Sequence, residues 1–257
     1  MASRAWLENS ATWLIICDPG DAVSHWAHRQ LQERGFDSIE LISGDMLGAG
    51  LRWEHRIGAG GALLRLELAA GRRISSRTVQ GVLNQLRQVP HWRAPEQIAG
   101  QDRQYARQEL TAFFIAWLSS FRGPILNPVT PQGLSGRERH LAEWMALAHQ
   151  AGLPTDTFRE STAIESEQLQ RDGDWRSTTL VVVVGSTAMG AAPRSLLRGR
   201  ERLAALSATP LLGVALRSDD EASWRFVGAT PHPDLRRGGA RAMDELALAL
   251  RSGRRLG

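Results

Sequence analysis

Lysine is missing from this 257-residue chain; all 31 basic side chains are arginine. Any cationic role therefore falls to guanidinium groups, which replace a lysine's charge but not its shape. Cysteine is nearly missing too. Cys17 stands alone, which excludes an intramolecular disulfide and any cysteine cluster for zinc or iron–sulfur. No apolar run approaches the length of a membrane span. The opening MASRAWLENSATWLIICD has one short apolar run stopped by Asp18, with no small-residue cleavage pattern, so it reads as a first strand and not a signal peptide. A cytoplasmic protein is the expectation.

Familiar chemical motifs are also absent. There is no HExxH, EF-hand loop, phosphate-binding loop with a terminal lysine, GxSxG, or Cys–His arrangement. The loop DPGDA after the first strand lacks the three-glycine dinucleotide pattern, and Asp18 and Asp21 would sit badly against a pyrophosphate. No cofactor is expected. His25 and His28 are three apart on one helix, but no third ligand accompanies them, so no metal site is nominated. No serine has a detectable base partner, and no catalytic residue emerges.

What is present is globular: 42% hydrophobic and 23% charged residues, with a net charge of only +4. Because the arginines are spread in short groups, nucleic acid ranks as an improbable partner. TWLIIC (Thr12–Cys17), a helix over Ala22–Arg34 with Ala22, Trp26 and Leu31 on one side and Gly35 as C-cap, and IELIS (Ile39–Ser43) make a βαβ start with a parallel sheet. LRWEHR and LLRLEL flank a glycine turn as an antiparallel hairpin. An apolar stretch through Val79, Val82 and Leu83 leads to Asn84, and residues 90–100 form a loop. Gln101–Ser119 is an amphipathic helix whose aromatic run, Phe113–Phe121, exceeds what a small half-domain must bury, which makes a homodimer plausible.

Gly123-Pro124, a very short strand at Ile125–Leu126 and Asn127-Pro128 mark a junction between two halves. A helix over Glu138–Ala151 follows, with Ser135 and Glu138 as a capping box, then a candidate strand at Thr155–Arg159 and a polar linker. TLVVVV (Thr179–Val184) is the most β-branched run and reads as a buried central strand; Gly185–Arg194 bends the chain. A helix at Leu196–Ser207, paired strands at Pro210–Leu216 and Trp224–Val227, and a helix at Gly239–Arg251 complete an α+β end.

Several segments carry a family resemblance. GVLNQL (Gly81–Leu86) resembles the "V-x-N-R" strand end of the preATP-grasp domain. AWLSSF, PILNPVTPQGLSGRERHLAEWMALAHQAGLPT and LLGVAL…WRFVGATPHPDL are similar to successive landmarks of ATP-grasp proteins, in particular the glutamate-ligase-like, peptide-modifying group. The resemblance implies an α/β fold: a preATP-grasp, Rossmann-like N-terminal domain over 1–128, then a truncated, degenerate ATP-grasp-like α+β domain over 129–257, with a polar linker near 160–178. It also exposes departures. The interval Thr155–Thr179 is too short for the family's nucleotide-clamping subdomain, and no lysine is available for the phosphates. Where the family places its magnesium-binding Glu and Asn, this chain has Val227 or Gly228 and Ala229 or Thr230.

The expectation is thus a non-catalytic ATP-grasp-like protein, serving as partner or binding subunit for an enzyme or peptide in a peptide- or natural-product-modifying system. A divergent ATP-dependent carboxylate–amine ligase is the alternative, and a weak nucleic-acid binder the second. Asn84, Arg87, Asn127, Thr130, Arg137 and His232 stand at predicted strand ends beside loops, where α/β clefts form, and are the ligand-cleft candidates. Each equally fits an ordinary capping or turn role.

Overall fold

A computed structural model describes residues 12–58, 61–91, 100–157, 178–218 and 223–252. They fall in two compact units: unit 1 is Met1–Arg137 with Met243–Leu256, and unit 2 is Glu138–Ala242.

Unit 1 is built on a four-stranded, wholly parallel sheet of order β2-β1-β6-β7. Its strands are β1 (Thr12–Cys17), β2 (Ile39–Ser43), β6 (Val79–Gln85) and β7 (Ile125–Leu126). Strands buried on both faces must be apolar throughout, and Leu14, Ile15, Ile16, Val82 and Leu83 are fully buried. The crossover between β1 and β2 is α1 (Ala22–Gln32), and the short α2 (Gly44–Gly48) follows β2 directly. Asp21 caps it: its Oδ1 accepts from Val23 N–H at 3.0 Å and its Oδ2 from Ser24 Oγ at 2.6 Å. The buried face of α1 is Ser24, Ala27 and Leu31; Ala22 is exposed, contrary to the face expected from spacing. Gly35, at φ 78°, turns the chain out of the helix.

A three-stranded antiparallel sheet of order β3-β4-β5 comes from β3 (Arg52–Gly58), β4 (Gly61–Glu67) and β5 (Arg73–Ser75). Its apolar face, Leu64, Leu66 and Ile74, shares a core with α3 (Gly100–Ser119). Trp53 stacks on Phe113 with centroids 5.1 Å apart and meets Phe114 edge-on at 5.0 Å. The same edge-on contacts link Phe114 to Trp117 and Trp117 to Phe121. Phe114, Trp117 and Phe121 are fully buried within unit 1. The aromatic surplus that suggested a homodimer is therefore spent inside this core.

Unit 2 holds a four-stranded antiparallel sheet of order β11-β10-β8-β9: β8 (Thr178–Val184), β9 (Thr187–Met189), β10 (Leu211–Ser218) and β11 (Trp224–Thr230). β8 lies inside the sheet, as its β-branched run predicts. The Gly185–Arg194 bend contains the short hairpin strand β9, which three residues could not announce. Trp144 and Ala148 of α4 (Leu141–Ala151) pack with Leu203 and Ala204 of α5 (Leu197–Leu206) over Val181, Val183, Leu212 and Val214. Helix α4 starts three residues later than its pattern predicts. His140 caps it, with Nδ1 facing Ala142 N–H at 3.4 Å, and Gly152 ends it in the left-handed region at φ 81°. The Ser135–Glu138 capping box does not form because Ser135 is buried and its Oγ donates to Leu86 O at 3.0 Å. Of the strand expected at Thr155–Arg159, one bridge from Thr155 to Phe226 is present, and 158–159 lie outside the described residues, as does the linker near 160–177.

The last helix, α6 (Gly239–Arg251), belongs to unit 1 from Met243 onward. Met243, Leu246, Ala247 and Leu250 are buried, Arg34 Nε donates to Asp244 Oδ1 at 2.8 Å, and the Arg251 guanidinium lies 4.4 Å from the Phe36 ring centroid. Among the described residues no helix is long and apolar enough to cross a membrane.

Candidate functional site

In a parallel sheet the carboxyl ends of the strands carry the loops that meet ligands. In unit 1 that edge is formed by Cys17-Asp18 after β1, Gln85 at the end of β6 and Asn127 after β7. Asn84 is fully buried there, and its amide is occupied by the backbone. Nδ2 donates to Leu134 O at 2.7 Å and Asn127 O at 3.1 Å, while Oδ1 accepts from Leu86 N–H at 3.3 Å. One side chain thus ties the end of β6 to the loop after β7 and to the segment at Leu134. Asn127 is itself buried, at φ 60°, a conformation asparagine tolerates better than most residues.

Arg87 lies beside this tie. Its Nε donates to Asp18 Oδ2 at 2.7 Å and its backbone N–H to Oδ1 at 3.0 Å, and Gln88 N–H reaches the same oxygen at 3.3 Å. Thr130 closes a tight turn with Gly133, N–H to carbonyl both ways at 2.9 and 3.2 Å. Arg137 is exposed at the end of this segment. The structure therefore gathers Asn84 and Asn127 into direct contact, with Arg87 and Thr130 on the adjoining loops. His232 belongs to unit 2, where its Nε2 lies 3.2 Å from Glu138 Oε1.

Two residues at this edge escaped the sequence reading. Asp18 was visible only as an acid after a strand, yet it accepts from two backbone N–H groups and one guanidinium. Gln85 ended an apolar run with nothing to distinguish it; it is 5% exposed, and among the described residues its Nε2 has no hydrogen-bond partner. Its register neighbour Cys17 is fully buried. Burial, reinforced by Asp21, Asp18 and Asp45 and opposed by a Ser24 hydrogen bond, pushes the Cys17 thiol up to about 12, so the sulfur is a neutral filler and not a nucleophile.

In unit 2, Arg217 and Arg225 are register partners on β10 and β11 and both bind the Asp156 carboxylate, Arg217 at 3.5 Å. Val227, Gly228, Ala229 and Thr230 follow along β11 without a carboxylate. No group of three or more His, Cys, Asp or Glu among the described residues is arranged to hold a metal. These residues do not fit a magnesium site.

No family model matches the sequence, and no curated protein does either. Solved structures do match, end to end. The macrocyclase MdnB from Microcystis aeruginosa MRC superposes at a TM-score of 0.67 and 15% identity, over 94% of this chain and 100% of that one. The macrocyclase MdnC from the same organism, bound with the precursor peptide MdnA, gives 0.68 and 11% over 93% and 99%. A Chryseobacterium gregarium RiPP-associated ATP-grasp ligase, in complex with ADP and a leader and core peptide, gives 0.71 and 11% over 95% and 98%.

The chain has an ATP-grasp-like fold. At such identities the superpositions establish architecture, and the α/β reading stands on it. They also overturn the expectation of a non-catalytic partner protein, because the chains that share this architecture over their full lengths are two macrocyclases and an ATP-grasp ligase. Absent lysines and one metal motif aligned through a single proline do not by themselves make the chain inactive. A guanidinium can carry a phosphate's countercharge in a different geometry, so a missing lysine is a departure in shape and not proof of lost chemistry.

Proposed function

We propose that this ATP-grasp-like chain is a divergent ATP-dependent carboxylate–amine ligase acting on a peptide. The net reaction joins a carboxyl to an amine with loss of one water, driven by ATP cleavage. The observation that carries the reading is the end-to-end likeness to MdnC, bound with its precursor peptide, and to a ligase bound with ADP and peptide.

In this reading residues 1–128 are the preATP-grasp-like half and 129–257 a shortened core, with a polar linker near 160–178. Arg87, Thr130 and Arg137 offer polar groups to substrate at the carboxyl edge of unit 1, and Asn84 and Asn127 hold the loops that present them. Within unit 2, His232 beside Glu138 offers a further polar group. Arg217 and Arg225 supply the cationic pair for phosphate oxygens, in exchange for their shared carboxylate Asp156.

The test is calorimetry with a non-hydrolysable ATP analogue, followed by mass spectrometry of a co-encoded peptide incubated with the chain and ATP. Saturable nucleotide binding, weakened about tenfold by Arg225→Ala, and a product lighter by one water are expected. Absence of nucleotide binding at saturating concentration would overturn the ligase.

A further inference from the structure

The second sheet of unit 1 ends in an unusual edge. Strand β3 pairs through all seven residues with β4 on one side, and among the described residues no strand pairs with its other side. A free edge of that length offers a row of backbone donors and acceptors about 23 Å long. Proteins usually blunt such edges with short strands, proline, charged side chains or helix cover, and of these β3 carries only the charges Arg52, Glu54 and Arg56. Here there is no proline, and Leu51 and Ile57, just before and near the end of the strand, are 69% and 79% exposed.

The two faces of β3 differ in chemistry. Trp53, His55 and Ile57 lie on the side of Leu64 and Leu66, the core side, because they pair across to those positions and their neighbour. Arg52, Glu54 and Arg56 lie on the other. Both arginines bind the single Glu54 carboxylate, Arg52 at 3.4 Å, so two cationic side chains share one carboxylate on this strand. Their guanidinium-bearing side chains are 59% and 66% exposed.

We infer that the β3 edge docks an extended, acidic peptide segment as an added strand. Main-chain bonds supply affinity, and side-chain alternation supplies selectivity. Carboxylates two positions either side of a neutral residue meet Arg52 and Arg56, and intervening apolar residues cover Ile57. A second copy of this chain fits worse. Antiparallel self-pairing about Glu54 brings Arg52 opposite Arg56, and like charges directly opposite destabilise a ladder. The peptide occupant rests on the peptide-ligase reading for its biological identity, but the docking itself needs neither nucleotide nor turnover.

The probe is a fluorescein-labelled heptapeptide, Glu-Val-Gln-Val-Glu-Val-Gly with blocked ends, titrated into the full chain by anisotropy without nucleotide. Saturable binding is expected. It should be abolished when alternate backbone nitrogens of the peptide are methylated, and weakened about tenfold by the double variant Arg52→Glu, Arg56→Glu. The same peptide with Arg in place of Glu should then bind the variant in preference to the wild type. No saturable binding, or binding indifferent to both methylation and charge reversal, overturns the inference. Wild-type self-association that the acidic peptide fails to compete also overturns it, in favour of copy-to-copy pairing. Should the double variant not fold, methylation on the wild type still decides. If nucleotide binding fails while the peptide binds, only the ligase reading falls.

Discussion

Replacing Asn84 by Ala removes the donor and the acceptor that make a three-bond tie, without a substitute. The carbonyls of Leu134 and Asn127 and the N–H of Leu86 are left behind, in a place where Asn84 itself has no exposed surface. Unsatisfied buried polar groups cost about 1–3 kcal/mol each, and loops relax partly, so the variant should lose about 3–5 kcal/mol. Against a typical stability of about 5–15 kcal/mol that is a large fraction. Urea unfolding followed by tryptophan fluorescence reports on it, because Trp117 is fully buried in the same unit. With a slope of about 2 kcal/mol per molar, the midpoint of the unit 1 transition should fall by about 2 M. Asn84→Asp sharpens the test. It keeps the acceptor for Leu86 but, when ionised, aims a carboxylate at two carbonyls. The folded state then prefers the protonated acid, so this variant's stability is greatest below the ordinary aspartate range, near pH 4, and falls as pH rises. A loss under about 1 kcal/mol for Asn84→Ala, or a flat pH profile for Asn84→Asp, refutes the structural tie and leaves the amide available to a ligand.

Gly123→Ala should unfold unit 1 or cost more than about 3 kcal/mol in thermal melts, since its new Cβ would sit 1.9 Å from Gln80 O, a backbone atom that cannot step aside. Cys17 should react with iodoacetamide at the rate of unfolding and not of exposed thiols. Its raised pKa makes the fold lose stability as pH climbs from about 8.5 toward 12, and Cys17→Ala should flatten that alkaline limb in pH-dependent melts. The Arg236 side chain and backbone N–H hold the Asp234 carboxyl below the ordinary range, so its contribution is present above about pH 3.9 and lost as pH falls through the lowered value. Asp234→Asn should remove that part of the acid profile.

Where one residue pattern had one physical outlet, the sequence was readable. The β-branched runs at Thr12–Cys17 and Thr179–Val184 had to be buried strands, and Gly35 after a periodic segment had to turn the chain out of α1. Ser135 shows the limit. Its motif was right for a cap, but its hydroxyl found a better partner in Leu86 O, forty-nine positions away, which no local pattern encodes. The aromatic run misled for a related reason: Trp53, on a hairpin distant in sequence, completes the aromatic cluster that a reading of α3 alone left exposed. Site chemistry was less legible still. Asn84 and Asn127 could be nominated as strand-end residues, but their contact depends on β6 and β7 being neighbours, a fact of topology. The likeness in landmark order carried to the fold, while activity had been judged from residue types without their geometry.

The division of α6 has a consequence for how the protein is made. Unit 1 is discontinuous: its N-terminal stretch needs Met243–Arg251, which emerge from the ribosome only after all of unit 2. Until then Leu246 and Leu250 are missing from its core, and Arg34 and Phe36 lack Asp244 and Arg251. Unit 2 is continuous and can close first, reversing the usual N-to-C order of domain folding. A nascent chain stalled before Met243 would hold all four strands of the parallel sheet but an uncovered flank, which makes the interval of translation the moment when this protein most needs a chaperone.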